Sequence, residues 1–208
     1  MSLTWTEIKS GVGGLLDTTI DSTSTPSEDQ VAAWVYEGAL QMCEILPNSQ
    51  LTPFEKVLTS SVGSFFDLTS YNVIRVTAAY KNGKPCKMLD RDEMDIIQAN
   101  LIQLYDLNNP AACVATNTTA TTAVKFYPAD VLPCEVRFIQ NPTLPMSSWL
   151  SSTSGVPPVT WRSLLVEYAV MKAKYQDEEV ELSEQAHKNW QEKVQVTLGG
   201  KTIASKGA

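Results

Sequence analysis

The chain holds one histidine, His187, and that bounds the chemistry open to it. Nucleophilic catalysis by Ser or Cys calls for a neighbouring base, most often an imidazole oriented by a third group. His187 stands between Glu184 and Lys188 in a helically spaced stretch and reads as a surface histidine. The densest acidic group is Asp90, Asp92, Glu93 and Asp95, of which Asp90, Asp92 and Asp95 could hold a divalent ion for a metal-dependent enzyme. The plainer reading is a helix start, because first-turn acids complement the helix dipole and Asp90 to Glu93 has capping-box spacing. Glu178, Glu179 and Glu181 read as a solvated turn between two helices. Gly11-Val12-Gly13-Gly14 lacks the preceding strand and following Lys-Ser/Thr of a phosphate cradle. Cys43, Cys86, Cys113 and Cys134 lack the two-residue gap of zinc or redox motifs and read as reduced packing residues. Asn117-Thr118-Thr119 is a glycosylation sequon without a secretory context. No catalytic, cofactor-binding or metal-binding residue is assigned, and the chain is expected not to be an enzyme.

The elements that would position these residues follow from periodicity. Trp5, Ile8, Val12, Leu15 and Leu16 share one side of a helix over about Thr4 to Thr18, which Gly11, Gly13 and Gly14 weaken. Thr25-Pro26-Ser27-Glu28 offers a cap, a proline at the first helical position and a returning glutamate, starting a helix that Pro47 stops. Thr52-Pro53-Phe54-Glu55 suggests a short helix. Tyr71 to Tyr80 is β-branched and aromatic, and Asn82-Gly83 predicts a hairpin into Pro85 to Leu89. Asp90 then caps a helix over Arg91 to Tyr105, and strands are expected at 112–116, 122–127 and 134–140. After a Pro- and Ser-rich connector, Trp161, Leu164, Leu165, Tyr168, Met171 and Tyr175 mark one helix face, and Leu182, Ala186, Trp190 and Val194 another.

The expected fold is α+β: a helical bundle formed by the N- and C-terminal helices with a β-rich insertion in the middle. The chain is read as a single domain over 1–208, with a helical core at about 1–50 and 156–198, the insertion at about 70–145, and a C-terminal arm at 199–208. At 208 residues it is long enough for a sizeable core, and 43% hydrophobic with 19% charged residues marks a globular chain. A net charge of −7 argues against general phosphate binding, which needs clustered Lys and Arg. The stretch from Gly199 onward carries Lys201 and Lys206 and no acid. No leader or bilayer-length apolar run is evident, so synthesis in a cytoplasm and no membrane partner are expected. Trp149-Leu150 and Phe65-Phe66 place large apolar residues in polar surroundings, either as interface anchors or as the inner side of packed loops.

In this order the elements resemble the tailed-bacteriophage head-to-tail connector proteins, the portal adaptor family. The likeness rests on the opening helix ending Leu15-Leu16-Asp17 and on the helix from Asp29 through Trp34 and Glu37 to Glu44-Ile45-Leu46-Pro47. It continues in Leu89-Asp90-Arg91-Asp92, Phe126-Tyr127-Pro128, Asn141-Pro142, and the closing Leu164 to Tyr168 with Asp177-Glu178 and Trp190 to Gly199. The resemblance covers nearly the whole chain, although Leu51 to Thr69 is more polar than in similar proteins. It implies a structural virion protein of the head-tail neck, without catalysis or cofactor, assembling with itself as a ring, typically a dodecamer. Its partners would be the portal protein and a tail or nozzle/terminator protein, with DNA only passing through the channel. The C-terminal arm would dock on the portal through Lys201, Ile203 and Lys206, while Trp149, Leu150, Phe65 and Phe66 are candidate subunit or tail contacts. Another neck or tail-completion subunit is the alternative, and an enzyme using the Asp90 cluster a further one.

Overall fold

The computed structural model describes residues 3–61, 65–90, 93, 105–116, 122–129, 132–145, 149, 155–177 and 180–198. It divides into two compact units, Met1–Phe54 with Pro142–Ala208, and Glu55–Asn141.

The first unit is helical: α1 (Trp5–Leu16), α2 (Glu28–Ile45), α3 (Arg162–Asp177) and α4 (Val180–Thr197). Helix α1 opens with a reciprocal capping box, Thr4 Oγ1 accepting the Glu7 N–H at 3.4 Å and Glu7 Oε2 accepting the Thr4 N–H at 2.9 Å. The α2 start differs from the expected one. Ser27 is its cap and Gln30 the returning partner, with Gln30 Oε1 accepting the Ser27 N–H at 2.9 Å, two residues beyond the Thr25-Pro26 start. Glu28 joins the first two helices, accepting from Trp5 Nε1 at 2.7 Å and pairing with Lys9 Nζ at 2.8 Å.

Helix α3 packs against α1, α2 and α4. Leu164, Leu165, Val166, Tyr168, Ala169, Val170 and Ala173 are all buried, so the helix is apolar around most of its circumference, as a central helix must be. Its neighbours come close at glycines: a Cβ at Gly11 would lie 2.8 Å from Val166 Cγ2, and one at Gly38 2.9 Å from Tyr168 Cδ1. The glycines that weaken α1 as an isolated helix thus include one that lets α3 approach it. Leu15, expected on the buried side, is exposed.

The second unit is built of strands β1 (Glu55–Ser60), β2 (Phe65–Asp67), β3 (Val73–Lys81), β4 (Lys84–Pro85), β5 (Lys87–Leu89), β6 (Ala111–Thr116), β7 (Thr122–Tyr127) and β8 (Cys134–Gln140). They form two four-stranded sheets, β1-β8-β3-β4 and β2-β7-β6-β5. Asn82 and Gly83, both at positive φ, turn β3 into β4. The chain then passes at Cys86 from one sheet to the other, where β5 pairs in parallel with β6. Phe66, Leu68, Ala112, Val124 and Phe126 from one side meet Ala79, Cys134, Val136 and Phe138 from the other in a shared core.

This architecture corrects the expected one. Four helices and two separate four-stranded sheets are present among the described residues, in place of a terminal helical bundle flanking one β-rich insertion. Two physical reasons account for the difference. Helix α3 is a hub with apolar groups around most of its circumference rather than one member of a two-sided seam. The β part also starts at Glu55: Thr52–Phe54 makes only one 3-10 turn, and the stretch after it supplies an edge strand to each sheet. The expected helix over Arg91 to Tyr105 lies almost wholly outside the described residues. No helix among the described residues is long and apolar enough to cross a membrane.

Candidate functional site

Among the described residues of the helical unit, polar side chains of α2 and α3 converge on Tyr168. Helix α3 is set by a 3-10 turn, Val159–Trp161, whose Trp161 ring packs 5.2 Å from Phe54. Within α3, Tyr168 is fully buried, and its hydroxyl accepts from Gln41 Nε2 of α2 at 2.9 Å. Burial pushes the Tyr168 phenol far above its ordinary range, and the neighbouring Glu37 carboxylate adds to the shift. Glu37 also pairs with Lys172 Nζ at 2.8 Å, and that ammonium lies 5.5 Å from the Tyr168 ring centre. The network therefore joins residues 127 and 135 positions apart.

On the opposite side α4 closes over the same ring. Trp190 packs 4.7 Å from Tyr168 and donates its indole N–H to the Leu164 carbonyl at 2.8 Å. His187 lies 6.1 Å from Tyr168 and 6.0 Å from Trp190, with its Nε2 3.0 Å from Gln191 Nε2. The imidazole is thus oriented by the Gln191 amide and by the Tyr168 and Trp190 rings. Beside it a cleft of about 400 Å³ opens between α3 and α4. His187 is half-buried at this cleft, where the sequence reading put it simply on the surface.

The strand unit has a cleft of about 490 Å³ at one end of the first sheet, lined by residues including Ser60, Tyr80, Glu135 and Arg137. Arg137 Nε pairs with Glu135 at 2.7 Å and its guanidinium lies 5.1 Å from the Tyr80 ring centre. Lys81 is 1% exposed; it stands opposite Cys134 in the β3–β8 register and donates to the Pro128 carbonyl. The four cysteines form no disulfide with one another. Burial pushes the Cys86 thiol up to about 11.

The sites expected from sequence fall partly among the described residues. Asp90 and Glu93 make the reciprocal bonds of a helix start: Asp90 Oδ1 accepts the Glu93 N–H at 2.7 Å, and Glu93 Oε2 accepts the Asp90 N–H at 3.3 Å. Asp92 and Asp95 lie outside the described residues. Phe66 points into the strand core while its neighbour Phe65, on the edge strand β2, is 52% exposed. Trp149 is 2% exposed in the single chain; its ring meets Trp5 edge-on at 6.5 Å and its N–H donates to the Thr143 carbonyl at 3.0 Å. Leu150, Lys201, Ile203 and Lys206 lie outside the described residues. The Tyr168 network was missed because its members are far apart in sequence. The available signal was a polar residue, Glu37 or Gln41, at helical spacing from the buried Gly38 and Met42. No protein-family model and no curated protein matches the chain.

Proposed function

We propose that the chain is a structural subunit of the bacteriophage head-tail neck: a connector that forms a ring with copies of itself and joins the portal protein to a tail or terminator protein. In this reading the ring extends the DNA channel and is a dodecamer. The portal contact falls to the arm 199–208 with Lys201, Ile203 and Lys206, and the protein resides in the virion after assembly in the host cytoplasm.

The observation that carries the reading is the pairing of edge strands with exposed apolar groups. Phe65 stands half-exposed on β2, the edge of one sheet, and Val57 is exposed on β1, the edge of the other. The β1–β8 register runs unbroken from Glu55 to Ser60, without the proline or bulge that usually blunts an edge against pairing. A phenylalanine in this position is suited to be covered by a neighbouring subunit. The acidic balance of the chain also suits a channel wall past which DNA slides.

Imaging of the purified protein by electron microscopy, alone and with portal protein, tests the proposal. Rings are expected with the native chain, and Phe65→Asp should abolish them while leaving the helical unit folded. Deleting Gly199 to Ala208 should preserve rings but eliminate portal association. A native protein that stays monomeric with and without portal overturns the reading.

A further inference from the structure

The cleft between α3 and α4 combines an apolar floor with hydrogen-bond donors that have no partner among the described residues. Met171 and Tyr175 of α3 form the floor, and Glu184, His187 and Lys188 of α4 stand along the wall with Lys172. Lys172 is already neutralised by Glu37, whereas Lys188 has no ion pair among the described residues. With the Gln191 amide oriented so that its Nε2 donates, at 3.0 Å, to His187 Nε2, the neutral ring carries its proton on Nδ1. His187 Nδ1 has no hydrogen-bond partner among the described residues. One ammonium and one imidazole N–H are thus offered beside a thioether and an aryl ring, in a space of about 400 Å³, within the size range of small-molecule sites.

We propose that this cleft binds a small amphipathic monocarboxylate, its carboxylate accepting from Lys188 Nζ and His187 Nδ1 and its apolar body seated on Met171 and Tyr175. Charge-assisted bonds to a carboxylate are the strong kind, and the apolar floor rewards an aryl or alkyl body over a bare ion. Glu184, on the same wall, repels a second negative charge and selects a monoanion over a dianion such as phosphate. The proposal goes beyond the assembly reading and does not depend on it, since the cleft belongs to the helical unit of a single chain.

The test uses the full chain and the fact that His187 is its only histidine, so its imidazole gives one resolvable set of NMR resonances. Phenylacetate, inorganic phosphate and phenethylamine are titrated separately. Phenylacetate should shift the His187 resonances saturably, with a dissociation constant on the order of 1 mM for a ligand of that size. Phosphate and phenethylamine should bind at least tenfold more weakly. Lys188→Gln, a change at an exposed side chain, should weaken phenylacetate about tenfold, and Glu184→Gln should narrow the gap between phenylacetate and phosphate. Tryptophan fluorescence verifies that both variants remain folded. Absence of a saturable shift, an equal response to phenethylamine, or unchanged affinity in Lys188→Gln overturns the proposal.

Discussion

Replacing Gly38 by alanine should destabilise the helical unit even though alanine is the better helix former. In the interior of α2 the exchange gains about 1 kcal/mol of helix preference. Against it stands a Cβ only 2.9 Å from Cδ1 and 3.0 Å from Cγ of Tyr168. That ring is poorly able to retreat, because it is fully buried, bonded through its hydroxyl to Gln41 and packed at 4.7 Å on Trp190. Overpacking of this kind costs about 1–3 kcal/mol, leaving a net loss of about 1 kcal/mol. Gly14 is the internal control: nothing lies within 4 Å of a Cβ there, so Gly14→Ala should stabilise by about 0.5–1 kcal/mol. The assay reads the relevant unit alone, because all five tryptophans, Trp5, Trp34, Trp149, Trp161 and Trp190, belong to it. With a urea slope of about 2 kcal/mol/M, the two variants' fluorescence midpoints should differ by on the order of 1 M, with the native chain between them. If Gly38→Ala unfolds at the same urea concentration as Gly14→Ala or higher, Tyr168 yields freely and the argument for a rigid α2–α3 contact fails.

Two further outcomes follow from the same packing. Trp190→Phe keeps the ring over Tyr168 but removes the N–H that meets the Leu164 carbonyl at 2.8 Å in a buried setting; a loss of about 1–3 kcal/mol in urea unfolding is expected, and a shift below 0.3 kcal/mol, roughly the limit of such measurements, would falsify the assignment. Raising the pH should cost stability above pH 9, since burial lifts the Cys86 thiol from its ordinary value of 9.0 to about 11. The unfolded thiol ionises first, so the contribution is whole below about pH 9 and disappears as pH climbs through 11. Burial of Tyr168 acts in the same direction. Cys86→Ala should flatten the part of the decline that Cys86 causes, as measured by urea midpoints between pH 8 and 11, and an unchanged slope sinks that attribution.

The elements legible from sequence were those whose pattern is local. Strands β6, β7 and β8 fall within a residue of their expected limits because each is bounded by turn residues or proline, and the Asn82-Gly83 turn states its own geometry through positive φ at both positions. Strand β1 escaped notice for a physical reason: as an edge strand it is only half-covered, so Glu55, Lys56 and Thr59 carry little of the alternation that reveals a buried strand. Helix α3 was recognised as a helix but misjudged as one face of a bundle, because periodicity marks the strongest stripe and is silent when Val166, Ala169, Val170 and Ala173 bury the remaining sides. The Tyr168 network was harder still, since nothing local in Glu37 or Gln41 announces a partner 127 or more positions away. Glycine shows the limit most sharply. Read alone, Gly11 and Gly38 are helix-weakening residues; placed against Val166 and Tyr168, they are what permits the backbones of α1 and α2 to approach the central helix. Their local cost is therefore offset by contacts that exist only once α3 is docked, which makes the hub a cooperative product of three distant segments rather than a sum of helix propensities.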